Sequence, residues 1–170
     1  DGNNKSTKSM SIGTYAHMAL LEPQRWESKV KLEPSIDRRT SLGKEAYAEF
    51  LQALELDPSL TSISLNDFAT VSSIRNSVMM HPDAATFFHD ETKKTETTLR
   101  WLLATDGMLS DCKARIDLYT DTHIVDLKTV KSADPRAFFY ACKDYGYLKQ
   151  AAWYSKALQL ATGKQRKFVF

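Results

Sequence analysis

Cysteine is scarce in this chain, net charge is small, and long apolar runs and repeats are missing. The cysteines, Cys112 and Cys142, have neither CxxC nor any other metal-type spacing. Two such thiols make no disulfide framework and fit a reducing, cytoplasmic setting. No apolar run approaches ~18 residues, which excludes a transmembrane helix and argues against any membrane role. The opening "DGNNKSTKSM" is polar and lacks a hydrophobic signal core. Net charge is +2, from 23 Lys+Arg against 21 Asp+Glu, so overall charge does not mark a nucleic-acid binder. A basic groove can still sit inside a balanced total, because steering depends on where the charges lie. With no initiator Met and an apolar end at "KFVF", the chain reads as a fragment of something longer.

What is present suits a single soluble domain: 170 residues, 42% hydrophobic and 26% charged. Residues 1–10 read as a flexible lead-in. Apolar spacing in "SIGTYAHMALLEP" predicts a helix ending at Pro23. Residues 24–42 read as irregular. A helix over 44–56 carries Tyr47, Phe50, Leu51 and Leu54 as its apolar stripe. Another follows Ser64, a candidate N-cap, and stops before Pro82; a short turn of helix covers 83–89. From residue 95 the period changes to two. "TETTLRWLLA", "CKARIDLY" and "HIVDLKT" read as strands, followed by a helix opened by Asp134-Pro135. Gly146 precedes a last helix that ends at Gly163, and "RKFVF" reads as a final strand. The order predicts an α/β fold: a helical part over 11–90, then an α/β core over 95–170 with a mixed central sheet.

The stretch "RIDLYTDTHIVDLKTV" carries Asp117, Asp126 and Lys128 inside otherwise apolar strands. With Asp121-Thr122 as the turn, Thr120 pairs with His123 and Asp117 falls opposite Asp126. Lys128 shares their face, while Ile116, Leu118, Val125 and Leu127 supply core from the other. Facing carboxylates repel unless a cation sits between them, and Mg²⁺ or Mn²⁺ takes such oxygens. A lysine beside the ion can orient water and offset phosphate charge. The plainer alternative is an ordinary Asp117–Lys128 cross-strand pair with Asp126 wet at a sheet edge.

Further residues extend the pattern: "GTYAH" (Gly13 to His17), "ETTLRW" from Glu96, "RID" ending at Asp117, "DLK" ending at Lys128, and "QAAWY" (Gln150 to Tyr154). In this order the set resembles the PD-(D/E)XK nucleases, and among them the RecE-like exodeoxyribonuclease VIII group. "LEP", "DRRT" and "YGYLKQAAWY" also resemble that group, and the likeness runs over essentially the whole chain. The acidic position of the D-x-K element, often Glu in the superfamily, is Asp126 here.

The resemblance implies a restriction-endonuclease-like core and a Mg²⁺-dependent 5′ to 3′ exonuclease acting on double-stranded DNA ends. It also implies phage or prophage recombination alongside a single-strand annealing protein, and a possible homo-oligomeric ring. It assigns metal binding to His17, Asp117, Asp126 and the main-chain carbonyl of Leu127. Lys128 is assigned to the attacking water, Glu96 to the vicinity of the metals, and Gln150 and Tyr154 to a helix face toward active site and DNA. Arg38, Arg39 and Arg115 are candidate phosphate contacts. His81, His89 and His123 read as surface or structural. Trp101, Trp153, Phe138 and Phe139 could stack on bases, with core packing the competing account for most of them. Two other readings remain: a nuclease-fold DNA-binding or assembly module without turnover, and a structure-specific endonuclease.

Overall fold

The computed structural model describes residues 8–170, with side chains from residue 11. The chain forms two compact units, residues 1–80 and 81–170. Among the described residues no helix is long and apolar enough to cross a membrane.

In the first unit the elements are α1 (Lys8–Leu21), α2 (Pro23–Lys29), β1 (Val30–Leu32), α3 (Ser41–Leu56), β2 (Thr61–Ile63) and α4 (Leu65–Met80). The lead-in expected over 1–10 lies mostly outside the described residues, and from Lys8 the chain is already helix. Pro23 ends α1 as expected, but it also opens α2. Its fixed φ and missing N–H cost nothing in a first helical turn. The supposedly irregular stretch therefore holds a helix and β1, which pairs in parallel with β2 from Val30↔Thr61 to Leu32↔Ile63. Strands of three residues are too short to show a period. Thr40 caps α3, its hydroxyl accepting from Gly43 N–H at 3.0 Å. Gly43 is required there, since a Cβ would meet the Asp37 carbonyl oxygen at 2.0 Å. The expected α3 stripe is only partly buried, with Leu51 47% exposed. Ala19, Ile63 and Val71 centre the core, with Tyr15, Trp26 and Phe68 packed on them.

The second unit contains α5 (Pro82–His89), β3 (Lys94–Thr105), β4 (Met108–Tyr119), β5 (His123–Val125), α6 (Pro135–Asp144), α7 (Tyr147–Thr162) and β6 (Lys167–Val169). His81 serves structurally as the N-cap of α5, its Nδ1 accepting from the amides of Asp83 and Ala84. The sheet order is β3-β4-β5-β6, with antiparallel pairing up to β5 and a parallel β5–β6 pair. This is a mixed α/β fold, as the element order implies, and of the restriction-endonuclease-like kind that the resemblance implies. A parallel pair needs a crossover, and α6 and α7 supply it. Asp134 caps α6 through the amides of Arg136 and Ala137, and Gly146 starts α7 from the left-handed region at φ 69°. Ile116, Tyr119, Ile124 and Leu158 form the core cluster.

The last antiparallel strand is shorter than "HIVDLKT" suggests and stops at Val125. Asp117 explains the stop. Its Oδ2 accepts the Leu127 amide at 2.8 Å, a bond a strand would have sent to a carbonyl. The Asp126 amide turns to the Val169 carbonyl at 3.0 Å, on the β6 side. A polar side chain thus ends the ladder while leaving both amides satisfied.

Candidate metal centre

Three carboxylates stand in one row across β3, β4 and the exit of β5. Thr95↔Leu118 and Thr97↔Ile116 set Glu96 opposite Asp117. Leu118↔Val125 and the Thr120 amide bond to the His123 carbonyl at 2.9 Å set Asp126 opposite Asp117 from the other side. The cross-strand register of the two aspartates is the one the turn predicts. Glu96 extends the row on the far side.

Glu96 departs from strand geometry, with φ at 51° in the left-handed region. A non-glycine residue there costs on the order of 1–3 kcal/mol, and such residues cluster at functional sites. Glu96 and Asp117 carboxylate oxygens lie within 4.8 Å of each other. Arg115, two residues before Asp117 on the same face, ion-pairs through Nε with Glu96 Oε2. Its side chain is 55% exposed and that of Glu96 15%. Arg115 therefore neutralises this end of the row from the solvent side.

The other end is buried. Asp126 is 1% exposed, and Lys128 Nζ ion-pairs with its Oδ2. Gln150 closes a triangle: its Nε2 donates to Asp126 Oδ1 at 3.1 Å, and its Oε1 accepts from Lys128 Nζ at 2.8 Å. A buried charge survives only when paired and hydrogen-bonded, and the triangle meets both conditions. The alternative with Asp126 wet and Lys128 on Asp117 is not the arrangement found. Lys128 also sits over the Tyr147 ring, Nζ 4.6 Å from its centroid.

The remaining candidates are placed as follows. Tyr154, one turn beyond Gln150 on α7, packs against the Ile116–Leu158 core cluster. Leu127 is held between the site residues by the Asp117 bond to its amide. His17 is half-buried on α1 in the first unit. Arg38 and Arg39 are engaged within that unit: Arg39 pairs with Asp37 at 2.9 Å, and Arg38 lies 3.6 Å over the Tyr47 ring. Trp101 and Trp153 pack on each other at 5.0 Å, while Phe138 meets Tyr147 and Phe170. Phe139 is 63% exposed. His123 binds Thr122 Oγ1 through Nδ1 at 2.8 Å, and Cys112 and Cys142 are buried thiols outside any disulfide. Tyr147 escaped the sequence reading, although its spacing to Gln150 in "YLKQ" already put both on one helical face.

The donor chemistry fits a hard divalent cation. Three carboxylates face two cationic side chains in this row, and hard ions select oxygen ligands. Asp126 Oδ2 has no donor in hydrogen-bonding geometry and relies on the Lys128 ammonium alone. The family described as a PDDEXK-like domain of unknown function (DUF3799) matches residues 1–170. No curated protein matches the chain.

Proposed function

The chain belongs to this PDDEXK-like family, and from that premise we propose a metal-dependent deoxyribonuclease that hydrolyses phosphodiester bonds. The observation that carries the reading is the Asp126–Lys128–Gln150 triangle standing opposite Asp117. Asp117, Asp126 and the Leu127 carbonyl would hold Mg²⁺ or Mn²⁺, with Glu96 beside them. The resemblance in "GTYAH" adds His17 as a further ligand. When bound, such an ion supplies Lewis-acid stabilisation of phosphoryl charge and a more acidic water.

The protein's own groups divide the remaining work. Lys128 presents an ammonium that orients the attacking water and offsets charge on the scissile phosphate. Gln150 keeps that ammonium beside Asp126. Arg115, half in solvent, can exchange Glu96 for a backbone phosphate without being desolvated first. The hydrolysis adds water across one P–O bond and leaves a phosphate and a hydroxyl on the two DNA products.

Within that chemistry the motif set favours 5′ to 3′ digestion from double-stranded ends, in phage or prophage recombination with a single-strand annealing protein. The test uses Mg²⁺ with end-labelled linear duplex and intact circular duplex. Wild type should release nucleotides from the linear substrate and leave the circle alone. Asp117→Asn and Lys128→Met, assayed well below their melting temperatures, should lose about 100-fold or more. Digestion of the linear duplex at equal rates by wild type and both variants would sink the assignment. Duplex binding without cleavage would instead identify a binding module, and cutting of the circle an endonuclease.

A further inference from the structure

Lysine carries its charge on a flexible four-carbon stem, and Lys128 lies just beyond the end of β5, where no ladder fixes the backbone. Its position therefore depends on what holds the ammonium. Three groups do: Asp126, Gln150 and the ring of Tyr147. Asp126 is among the residues assigned above to the cation, which leaves Gln150 and Tyr147 as the lysine's own holders.

We propose that Tyr147 is a positioning residue whose ring face seats the Lys128 ammonium in register with Gln150; the proposal rests on Lys128 acting in the nuclease reaction. Gly146 enters α7 from the left-handed region and so sets Tyr147 at the first helical position. Gln150, three residues on, shares its face. One rigid helix end thus delivers both contacts to the lysine. The ring itself is packed against Phe170 at 5.9 Å and Phe138 at 6.2 Å, and against Tyr145 stacked at 5.7 Å and 24°. Among the described residues the Tyr147 hydroxyl makes no hydrogen bond, so the ring face is what Lys128 uses. An ammonium within 6 Å of an aromatic centroid is attracted by the ring quadrupole, more strongly when partly desolvated. Lys128 is 16% exposed.

Two measurements on the same variants test the seat. In metal-free protein, acetylation of Lys128 by an activated ester is followed by mass spectrometry. Tyr147→Phe should protect Lys128 as well as wild type. Tyr147→Leu should raise its labelling about 2- to 30-fold, the range a cation–π contact of roughly 0.5–2 kcal/mol implies. Pentafluorophenylalanine at position 147 keeps the shape and inverts the charge on the ring face, so it should match Leu and not Phe. That comparison stands even where Tyr147→Leu fails to fold. With Mg²⁺ and duplex, kcat should fall by a similar factor in the two unseated variants, with KM unchanged, and Tyr147→Phe should retain it. Equal labelling of wild type and the fluorinated protein overturns the proposal. So does a labelling change with kcat untouched. Failure of the wild type to cleave DNA overturns the nuclease reading, and the labelling arm still decides whether Tyr147 seats the lysine.

Discussion

Lys128→Met removes the charge facing a carboxylate that is 1% exposed and keeps most of the apolar stem. Asp126 would retain the Gln150 Nε2 bond at 3.1 Å and nothing cationic at Oδ2. Removing one partner of a buried ion pair costs about 3–5 kcal/mol, because the survivor stays desolvated and uncompensated. The surviving amide bond places this variant near the low end, at about 3 kcal/mol. For a chain of this size that lowers Tm by roughly 6–12 °C. Asp126→Asn should cost less, about 1–3 kcal/mol, since Lys128 can turn its head to solvent. The double variant buries neither charge, so its loss should fall short of the two single losses summed, by about 1–3 kcal/mol. Urea unfolding in EDTA measures all four proteins. A Lys128→Met loss below about 1 kcal/mol, or strict additivity in the cycle, would refute the claim that Asp126 is a buried, lysine-dependent anion.

Other expectations follow from the same row. Mn²⁺ at 100-fold above its Kd should stabilise wild type by about 2.7 kcal/mol in thermal melts; Asp117→Asn and Asp126→Asn should each reduce that gain. Glu96→Gly should be more stable than Glu96→Ala by about 1–2 kcal/mol, because only glycine adopts a left-handed φ without strain; equal unfolding midpoints would argue against a strained Glu96. Asp90, at the end of α5, is held below the usual carboxylate range by the Thr92 hydroxyl and amide. A lowered folded-state value gives stability that is present above about pH 4 and lost as pH falls through the lower value. Asp90→Asn should therefore flatten the acid limb of Tm against pH, and an unchanged limb would count against it.

Sequence patterning carried the element order of the second unit and the Asp117–Asp126 register, because a two-residue turn between alternating strands leaves little freedom. The helix caps at Ser64, Asp134 and Gly163 depend on local chemistry and are readable from it, whereas the cap at Thr40 lies inside a stretch that reads as irregular. The strands at 30–32 and 61–63 are not, since three residues define no period. The end of β5 is hidden differently. Only a side chain from a neighbouring strand, Asp117, tells the Leu127 amide to leave the ladder. Glu96 reads as an ordinary strand residue among threonines, and its left-handed backbone emerges only from the tertiary structure. Arg115 reads as a loose phosphate contact, yet its partner lies on the adjacent strand at Glu96.

The two ends of the carboxylate row solve one electrostatic problem by opposite means, and salt separates them. At Glu96 the counter-charge is Arg115, with 55% of its side chain in solvent, so added ions screen the pair and compete for it. At Asp126 the counter-charge is Lys128, enclosed by Gln150 and Tyr147 and 16% exposed, where screening has little reach. Raising salt from about 0.05 to about 0.5 M shortens the Debye length from about 14 to about 4 Å, which weakens the exposed pair far more than the enclosed one. The stability lost in Arg115→Ala should then shrink toward zero, while the loss in Lys128→Met persists. In the proposed nuclease reaction a backbone phosphate, itself an exposed anion, can take Arg115 from Glu96, whereas Lys128 meets the scissile phosphate from the place where Gln150 and Tyr147 hold it. Arg115 is thus the residue suited to trade partners when substrate arrives, and Lys128 the one suited to stay in place.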